Sequence, residues 1–446
     1  MADLCELNPQ RYPFLLESVT GNVVGHRYDI LLAFPGERLE LRHNSQHEHL
    51  SGSAPVDMEQ GNFLNALDQW LAQEQHSFTH PNDEIFSNGW FLYLGYELAR
   101  QIEPRVAAHN IKKNYSLIAA AVRHKVALVH DHQTQQRWIA YETSAADVVE
   151  TILNDIQLCN KKMEAINELK IEHLHEDSAQ QHLNNIAHCK NHIHNGDIFQ
   201  ANLSREWNIT LSDSVNPSNL YKRLRKHNPA PFAALAQFAD FNIISSSPER
   251  LVRVQNGFVD TRPIAGTRPR GSTADADQAL IQELLDTPKE RAEHIMLIDL
   301  ERNDLGRISE AGSVEVNELM SVESYAHVHH IVSNIRGRLR KNVSVGDIIR
   351  AVFPGGTITG CPKVRCMEIL AQLEGCARGP YTGSLGYLNL NGVMDLNILI
   401  RTLVQQNNIV RLRAGGGIVA DSEPVAELNE TRSKAKGLLR ALGLNA

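Results

Sequence analysis

TGSLGYLNLNGVMDLNILIRTLV (382–404) and IVRLRAGGGIVA (409–420) decide the fold class. In both, β-branched and alternating apolar residues are broken by Gly-rich turns, the pattern of strands that double back on a neighbour. The second run ends in three consecutive glycines. VAELNETRSKAKGLLRAL (425–442) then takes up the three- and four-residue apolar rhythm of a helix with one buried side. Short turns between adjacent strands imply antiparallel pairing. The architecture is therefore α+β rather than a doubly wound parallel sheet.

The same alternation of types continues upstream. FNIISSSPERLVRV (241–254) and GFVDTRPIAG (257–266) read as strands, and ADQALIQELL (276–285) and RAEHIMLIDLERND (291–304) read as helices. Three regions follow: a mixed N-terminal region (1–143), a helical connector (144–184) and a strand-rich C-terminal region (185–446). The connector is polar, nearly free of Gly and Pro, and spaced for helices. In the N-terminal region RYDILLAFPGERLELRH (27–43) is expected to be a hairpin turning at Pro35-Gly36, and ALDQWLAQEQ (66–75) a helix. WFLYLGYELAR (90–100) is expected to pass from strand to helix.

The 446 residues are 42% hydrophobic and 22% charged, ample for a sizeable core. A net charge of −8 with no basic stripe argues against a nucleic-acid partner. No run approaches the roughly 18 apolar residues of a membrane span, and MADLCELNPQRYPF is no signal peptide. Six scattered cysteines match no zinc spacing. A reduced, cytoplasmic protein is expected.

Two short runs carry paired glutamates: Glu290 and Glu293 in TPKERAEHIM, Glu427 and Glu430 in PVAELNETRSK. Residues three apart on a helix lie about 5–6 Å apart on one face. Alone, either pair is a solvated helix face. Converging, the four carboxylates would make a hard-cation site able to hold an anionic substrate. Lys434, one turn beyond Glu430, would balance their charge, and the apolar Ile295, Met296, Ile298 and Leu300 give the first helix a buried side. AGGGIVADS (414–422) is either a tight turn or a loop whose backbone approaches a ligand closely. FPGGTITGCPK (353–363) lacks the frame of a phosphate loop. HVHH (327–330) reads as a strand with inward histidines before it reads as a metal site. Arg401, after an apolar run, needs an anionic partner, either a structural carboxylate or a substrate's. Glu249 in SSSPER is a turn residue or a perturbed acid.

Together SSSPERLVR, RPIAGTRPRG, KERAEHIMLIDLERNDLGR, VHHIVS, FPGGTITGCPKVRCMEIL, YTGSLGY, NILIRT and AGGGIVADSEPVAELNETRSK resemble, in order, the chorismate-utilising enzymes, over about residues 185–440. The resemblance implies an α/β/β/α layered fold of two mainly antiparallel sheets and a bound Mg²⁺. It implies Glu293 and Glu430 as principal metal ligands, with Glu290 and Glu427 completing the shell partly through water. Tyr381, Arg401, Gly415 and Gly417 would bind the enolpyruvyl carboxylate of chorismate. Gly266, Thr267, His330 and Thr357 would line the ring pocket, and Glu249 would be the general acid.

Where water-using members of the family carry a lysine base, this chain has Gln200, which favours an amine nucleophile. Ala265 fills the position of a lysine nucleophile found in many aminodeoxychorismate synthases. FPGGTITGCPKVRCMEI and MDLNILIRTL nevertheless look like that branch. The implied function is component I of aminodeoxychorismate synthase, a Mg-dependent amination of chorismate toward 4-aminobenzoate and folate. The alternatives are component I of anthranilate synthase and a non-catalytic amino-acid-binding regulator. No cysteine has a glutaminase context, so ammonia from glutamine would come through a separate glutamine amidotransferase subunit. PFLLES places Leu16, Glu17 and Ser18 in a segment resembling the family's tryptophan effector pocket.

Overall fold

The computed structural model describes residues 1–19, 27–44, 47–59, 61–75, 85–86, 88–107, 115–159, 169–325 and 328–444. All strand pairings among them are antiparallel. One series runs from Ile171–Glu176 through Gln200–Leu211, Ile409–Ile418, Thr402–Gln406, Asn242–Ser247 and Phe232–Gln237 to Phe14–Glu17. It continues into the long strand Tyr28–His43, which pairs with Leu117–Asp131. From there a second series passes through Gly89–Leu94, Ser384–Asn389, Met394–Asn397, Arg250–Gln255 and Phe258–Arg262 to Val328–Arg338. Ile264–Pro269 and Glu315–Ser324 also pair with Val328–Arg338.

Side-chain alternation makes the layers. In Gly89–Leu94, Trp90, Leu92 and Leu94 pack with Leu67 and Trp70 of the helix Phe63–Gln75, whereas Phe91 and Tyr93 join Phe14, Ala234 and Ile243. In the other sheet, Leu235 and Ile244 meet Leu220 and Leu224 of the helix Pro217–His227 and Leu438 of the helix Pro424–Ala441. Ala234, Ala236 and Ile243 turn to the shared middle layer. Two sheets thus face each other with helices outside, an α/β/β/α arrangement. Each fully buried Leu or Phe contributes about 1.5–3 kcal/mol. A one-residue slip would exchange the inner and outer sets, so register is firmly specified.

The segment 27–43 is not a hairpin. Its pairing with Leu117–Asp131 shifts between Pro35 and Arg38, and Phe34 takes φ 51°, so Pro35-Gly36 marks a bulge within one bent strand. Leu31 lies under one helix layer and Leu39 under the other, so the bend carries the strand from one sheet to the next. The stretch 144–184 holds the helix Val149–Cys159 but also the strand Ile171–Glu176, an element its helical reading omits. All six cysteines are unpaired. No helix among the described residues is long and apolar enough to cross a membrane.

Candidate active site

The helix Pro288–Gly306 carries Glu290 and Glu293 in its first two turns, and Pro424–Ala441 carries Glu427 and Glu430. The first helix buries His294, Leu297, Ile298, Glu301, Asp304 and Leu305. Ile295 instead projects outward at 50% exposure, so the buried stripe is rotated from the one its apolar residues suggest. Ser422 does not cap the second helix, whose N-cap is Glu423. Its hydroxyl donates to Glu427 Oε1 at 2.7 Å.

The two glutamate pairs share one electrostatic environment. Burial pushes the Glu293 carboxyl up to about 7, with Glu290, Glu427 and Glu430 adding to the rise and Lys289 opposing it. Burial likewise raises Glu427, and Glu430 adds to it. Arg268 lies 3.3 Å from Glu290, Lys289 3.9 Å from Glu293, and Lys434 2.7 Å from Glu430. The oxygens are not tightly gathered: among the described residues, no three of these carboxylates reach within 4.8 Å of one another.

Glycines bring backbone to this acidic cluster. A Cβ on Gly416 would sit 3.1 Å from Glu427 Oε2 and 3.6 Å from Glu430 Oε1. Gly266 has φ +65°, and a Cβ there would lie 3.0 Å from Glu290 Oε2, so this glycine makes room for the carboxylate. On Gly415 a Cβ would meet the Tyr381 hydroxyl at 2.8 Å, and on Gly417 the Gln200 Nε2 at 2.3 Å. Lys434 Nζ donates to the Gly415 carbonyl at 2.9 Å, tying helix to strand.

Beside the acids lie buried polar atoms with no well-aligned hydrogen-bond partner among the described residues: Gln200 Oε1, Asn202 Oδ1, Glu249 Oε1, His330 Nε2 and Thr357 Oγ1, the last close enough to Glu249 to favour its ionised form. Unmet buried atoms occur elsewhere in the chain too, but here they cluster beside the glutamates, as in a site that takes a polar ligand. Glu249 follows the strand Asn242–Ser247 at the turn into Arg250–Gln255. Burial pushes its carboxyl up to about 7, against the favourable influence of Thr357, the Ile264 backbone, Lys434 and Arg401. His330 presents Nδ1 to Thr267 Oγ1 at 2.9 Å. Burial, with Arg401 next, holds its imidazole down at about 3, so it is neutral. Its neighbour His329 faces Asp277 and Ser324 instead, and His327 lies outside the described residues.

Arg401 has φ +50°, and while its carbonyl accepts from the Ser246 amide at 3.1 Å, its guanidinium makes no ion pair or hydrogen bond among the described residues. Burial lowers its proton affinity and the charge of Glu249 raises it. Among the described residues no carboxylate bonds the guanidinium, Glu249 acting on it only through its charge, so the guanidinium is open to an anion. Tyr381 is buried, its hydroxyl pushed up to about 12 mainly by burial, so it acts as a neutral donor.

A model of the family described as chorismate binding enzyme matches residues 13–440. The chain belongs to that family. It is an enzyme acting on chorismate. Aminodeoxychorismate synthase component 1 of Bacillus subtilis (strain 168) is 41% identical over 398 residues, 86% of this chain and 83% of that protein. Anthranilate synthase component 1 of Acetivibrio thermocellus is 37% identical over 451 residues, 96% and 90% of the two chains. The crystal structure of anthranilate synthase component I from Streptococcus pneumoniae TIGR4 gives a TM-score of 0.79 at 30% identity, covering 94% of this chain and 93% of that one. The fold class is thus that of the family, while the two kinds of synthase lie at similar identity.

This chorismate-binding enzyme braces its site with residues that the motif reading passes over. Arg378 donates to Glu374 at 2.8 Å, to the Asn202 carbonyl at 2.6 Å and to the Ile358 carbonyl at 3.1 Å, and lies 5.7 Å from the Tyr381 ring centroid. Arg413 hydrogen-bonds Ser204, whose hydroxyl and amide both donate to Glu374. Burial alone would raise Glu374, but Arg378 and Arg413 outweigh it and hold the carboxyl down. A charged residue in an apolar strand was the available signal for Arg413, as for Arg401.

Leu16, Glu17 and Ser18 lie apart from the acids, in a cleft with Tyr28, Phe232, Arg250 and Asp395. Glu17 turns to Tyr221 (2.5 Å) and Arg225 (3.4 Å). Arg250, bound to Asp395 at 2.9 Å, is next in sequence to Glu249, so the cleft wall and the candidate acid share one turn.

Proposed function

We propose that this chorismate-binding enzyme is component I of aminodeoxychorismate synthase, converting chorismate and ammonia to 4-amino-4-deoxychorismate and water. The observation that carries an amine nucleophile is Gln200. Its amide is buried beside Gly417 with Oε1 unpaired, an acceptor for an N–H of ammonia and no base for water. Ala265, paired with Ile331 in the sheet, offers no nucleophile, so nitrogen enters without a lysine adduct at that position.

Glu249 in its acid form donates a proton to the departing C4 hydroxyl. The C–O bond breaks, water leaves, a C–N bond forms, and the ammonium so made gives up the proton that restores the acid. Arg401, the Tyr381 hydroxyl and the Gly415 and Gly417 backbone orient the enolpyruvyl carboxylate. Neutral His330, Thr267 and Thr357 face the ring. Glu293 and Glu430, with Glu290 and Glu427 partly through water, would hold Mg²⁺, an ion that takes oxygen donors and keeps several waters. The raised Glu293 carboxyl fits that role, since crowded carboxylates await a cation. Such an ion supplies positive charge for the ring carboxylate.

The acidic cluster predicts a stability signature. With its folded pKa near 7, above the ordinary 4.5, ionised Glu293 destabilises the fold increasingly from about pH 4.5 to pH 7. At pH 8 without metal, Glu293→Gln is expected to raise Tm by roughly 2–4 °C. Mg²⁺ should raise Tm of the parent protein and not of the variant. Calorimetry checks both.

Anthranilate synthase component I is the second reading, favoured by Ala265 and by 37% identity across 96% of the chain. In either case ammonia from glutamine would come from a separate amidotransferase subunit. The purified chain is expected to turn over chorismate with ammonium and Mg²⁺, and not with glutamine. Turnover on glutamine alone would refute a separate subunit. The Leu16–Ser18 cleft is the proposed place for a tryptophan effector.

A further inference from the structure

The end of the strand Leu117–Asp131 carries a second candidate site, independent of the function proposed above. His130 lies in the strand and His132 just beyond it, two residues apart, so both side chains leave from one face. The register sets Asp29 directly opposite His130, and directly opposed residues share a face. A backbone hydrogen bond from His132 N to the Arg27 carbonyl extends this pairing. Strand geometry thus assembles two imidazoles and a carboxylate. One ring nitrogen of each histidine and one Asp29 oxygen lie within 4.8 Å of one another.

Hydrogen bonding does not account for the arrangement. Asp29 is 5% exposed, and its Oδ1 already accepts the Ser18 amide at 2.9 Å. Oδ1 is also 2.9 Å from His132 Nε2, and Oδ2 is 3.6 Å from His130 Nδ1. Yet Nε2 of both histidines is buried with no hydrogen-bond partner among the described residues. At His132 the nitrogen is near the oxygen without being aimed at it, whereas a donor would point along the line to its acceptor. A nitrogen and an oxygen side by side but not aligned is the placement that two ligands of a common ion would take, here seen at His132 and Asp29. Buried polar atoms left unmet call for an ion or water.

We propose that Asp29, His130 and His132 bind a divalent transition-metal ion, zinc being the representative, with the remaining position open to water or a further ligand. Two imidazoles and one carboxylate suit such an ion and not magnesium, which prefers oxygen alone. The Ser18 amide on Asp29 is the outer contact that fixes a ligating carboxylate. Nearby charge is compatible. Arg27 is engaged bidentately by Asp131, Glu17 lies close enough to feel Asp29, and Arg137, opposite His130 on the next strand, is exposed to solvent.

The test is titration of the untagged, metal-stripped full chain with zinc in excess Mg²⁺, followed by calorimetry. One equivalent of zinc is expected, with affinity at least about tenfold weaker in His130→Gln and in His132→Gln, and unchanged in Glu293→Gln. Cobalt added to the parent protein should give the intense visible bands of a low-symmetry nitrogen- and oxygen-ligated ion, a readout that needs no variant to fold. No zinc bound, equal affinity in the histidine variants, or binding lost with Glu293 would overturn the proposal.

Discussion

Glu249→Gln is expected to lower kcat by about 10²- to 10⁴-fold while KM for chorismate changes little, the range for loss of a general acid. Glutamine keeps the shape and a hydrogen-bonding amide but has no proton to give the leaving hydroxyl. The working form of Glu249 is the acid. Because burial places its pKa near 7, kcat/KM should fall about tenfold per pH unit above that value. Stability should move the other way. Ionised Glu249 destabilises the fold increasingly from about pH 4.5 to pH 7, so at pH 8 the variant should be at least as stable as the parent. Lost activity with retained or raised Tm separates a catalytic role from a structural one. A variant with near-parent kcat would remove Glu249 from the mechanism.

Arg401→Ala is expected to act on binding. Hydrogen bonds to a charged group are worth about 1.5–3 kcal/mol, so KM for chorismate should rise roughly 10- to 150-fold. Arg401 has no protein anion to lose among the described residues, which distinguishes it from Arg378 and Arg413, whose removal would strand the buried Glu374. Lysine at 401 should recover only part of the loss, since it offers a point charge in place of a planar fork. Steady-state kinetics with the three proteins decides it. A fall in kcat with unchanged KM would contradict the assignment.

The sequence was most informative where one residue type has few structural uses. The paired glutamates, the Gly415–Gly417 run and Arg401 each had a bland reading alone and pointed to a shared site only together; the fold brings Gly416 against Glu427 and Glu430, and the charge of Glu249 reaches Arg401. Elsewhere local pattern misled. Pro35-Gly36 carries turn chemistry, but the long strand needs a bulge at that point to pass between sheets, and the same residues serve it. Ile171–Glu176 escaped notice because it pairs with one neighbour and is largely exposed, so it has no apolar alternation to read. Ile295 is apolar yet outward, because Glu301 and Asp304 occupy the buried stripe, Asp304 paired with Lys363 at 2.6 Å. That ion pair joins residues far apart in sequence and has no local signature, whereas the brace has two, the i,i+4 spacing of Glu374 and Arg378 and the charge of Arg413 in an apolar strand.

Amination of chorismate at C4 is tested most directly by identifying the product of the purified chain with chorismate, ammonium and Mg²⁺. The expected product is 4-amino-4-deoxychorismate, which retains its enolpyruvyl group and yields 4-aminobenzoate and pyruvate only when a lyase is added. Fluorescent 2-aminobenzoate, released with pyruvate and no lyase present, would contradict the account.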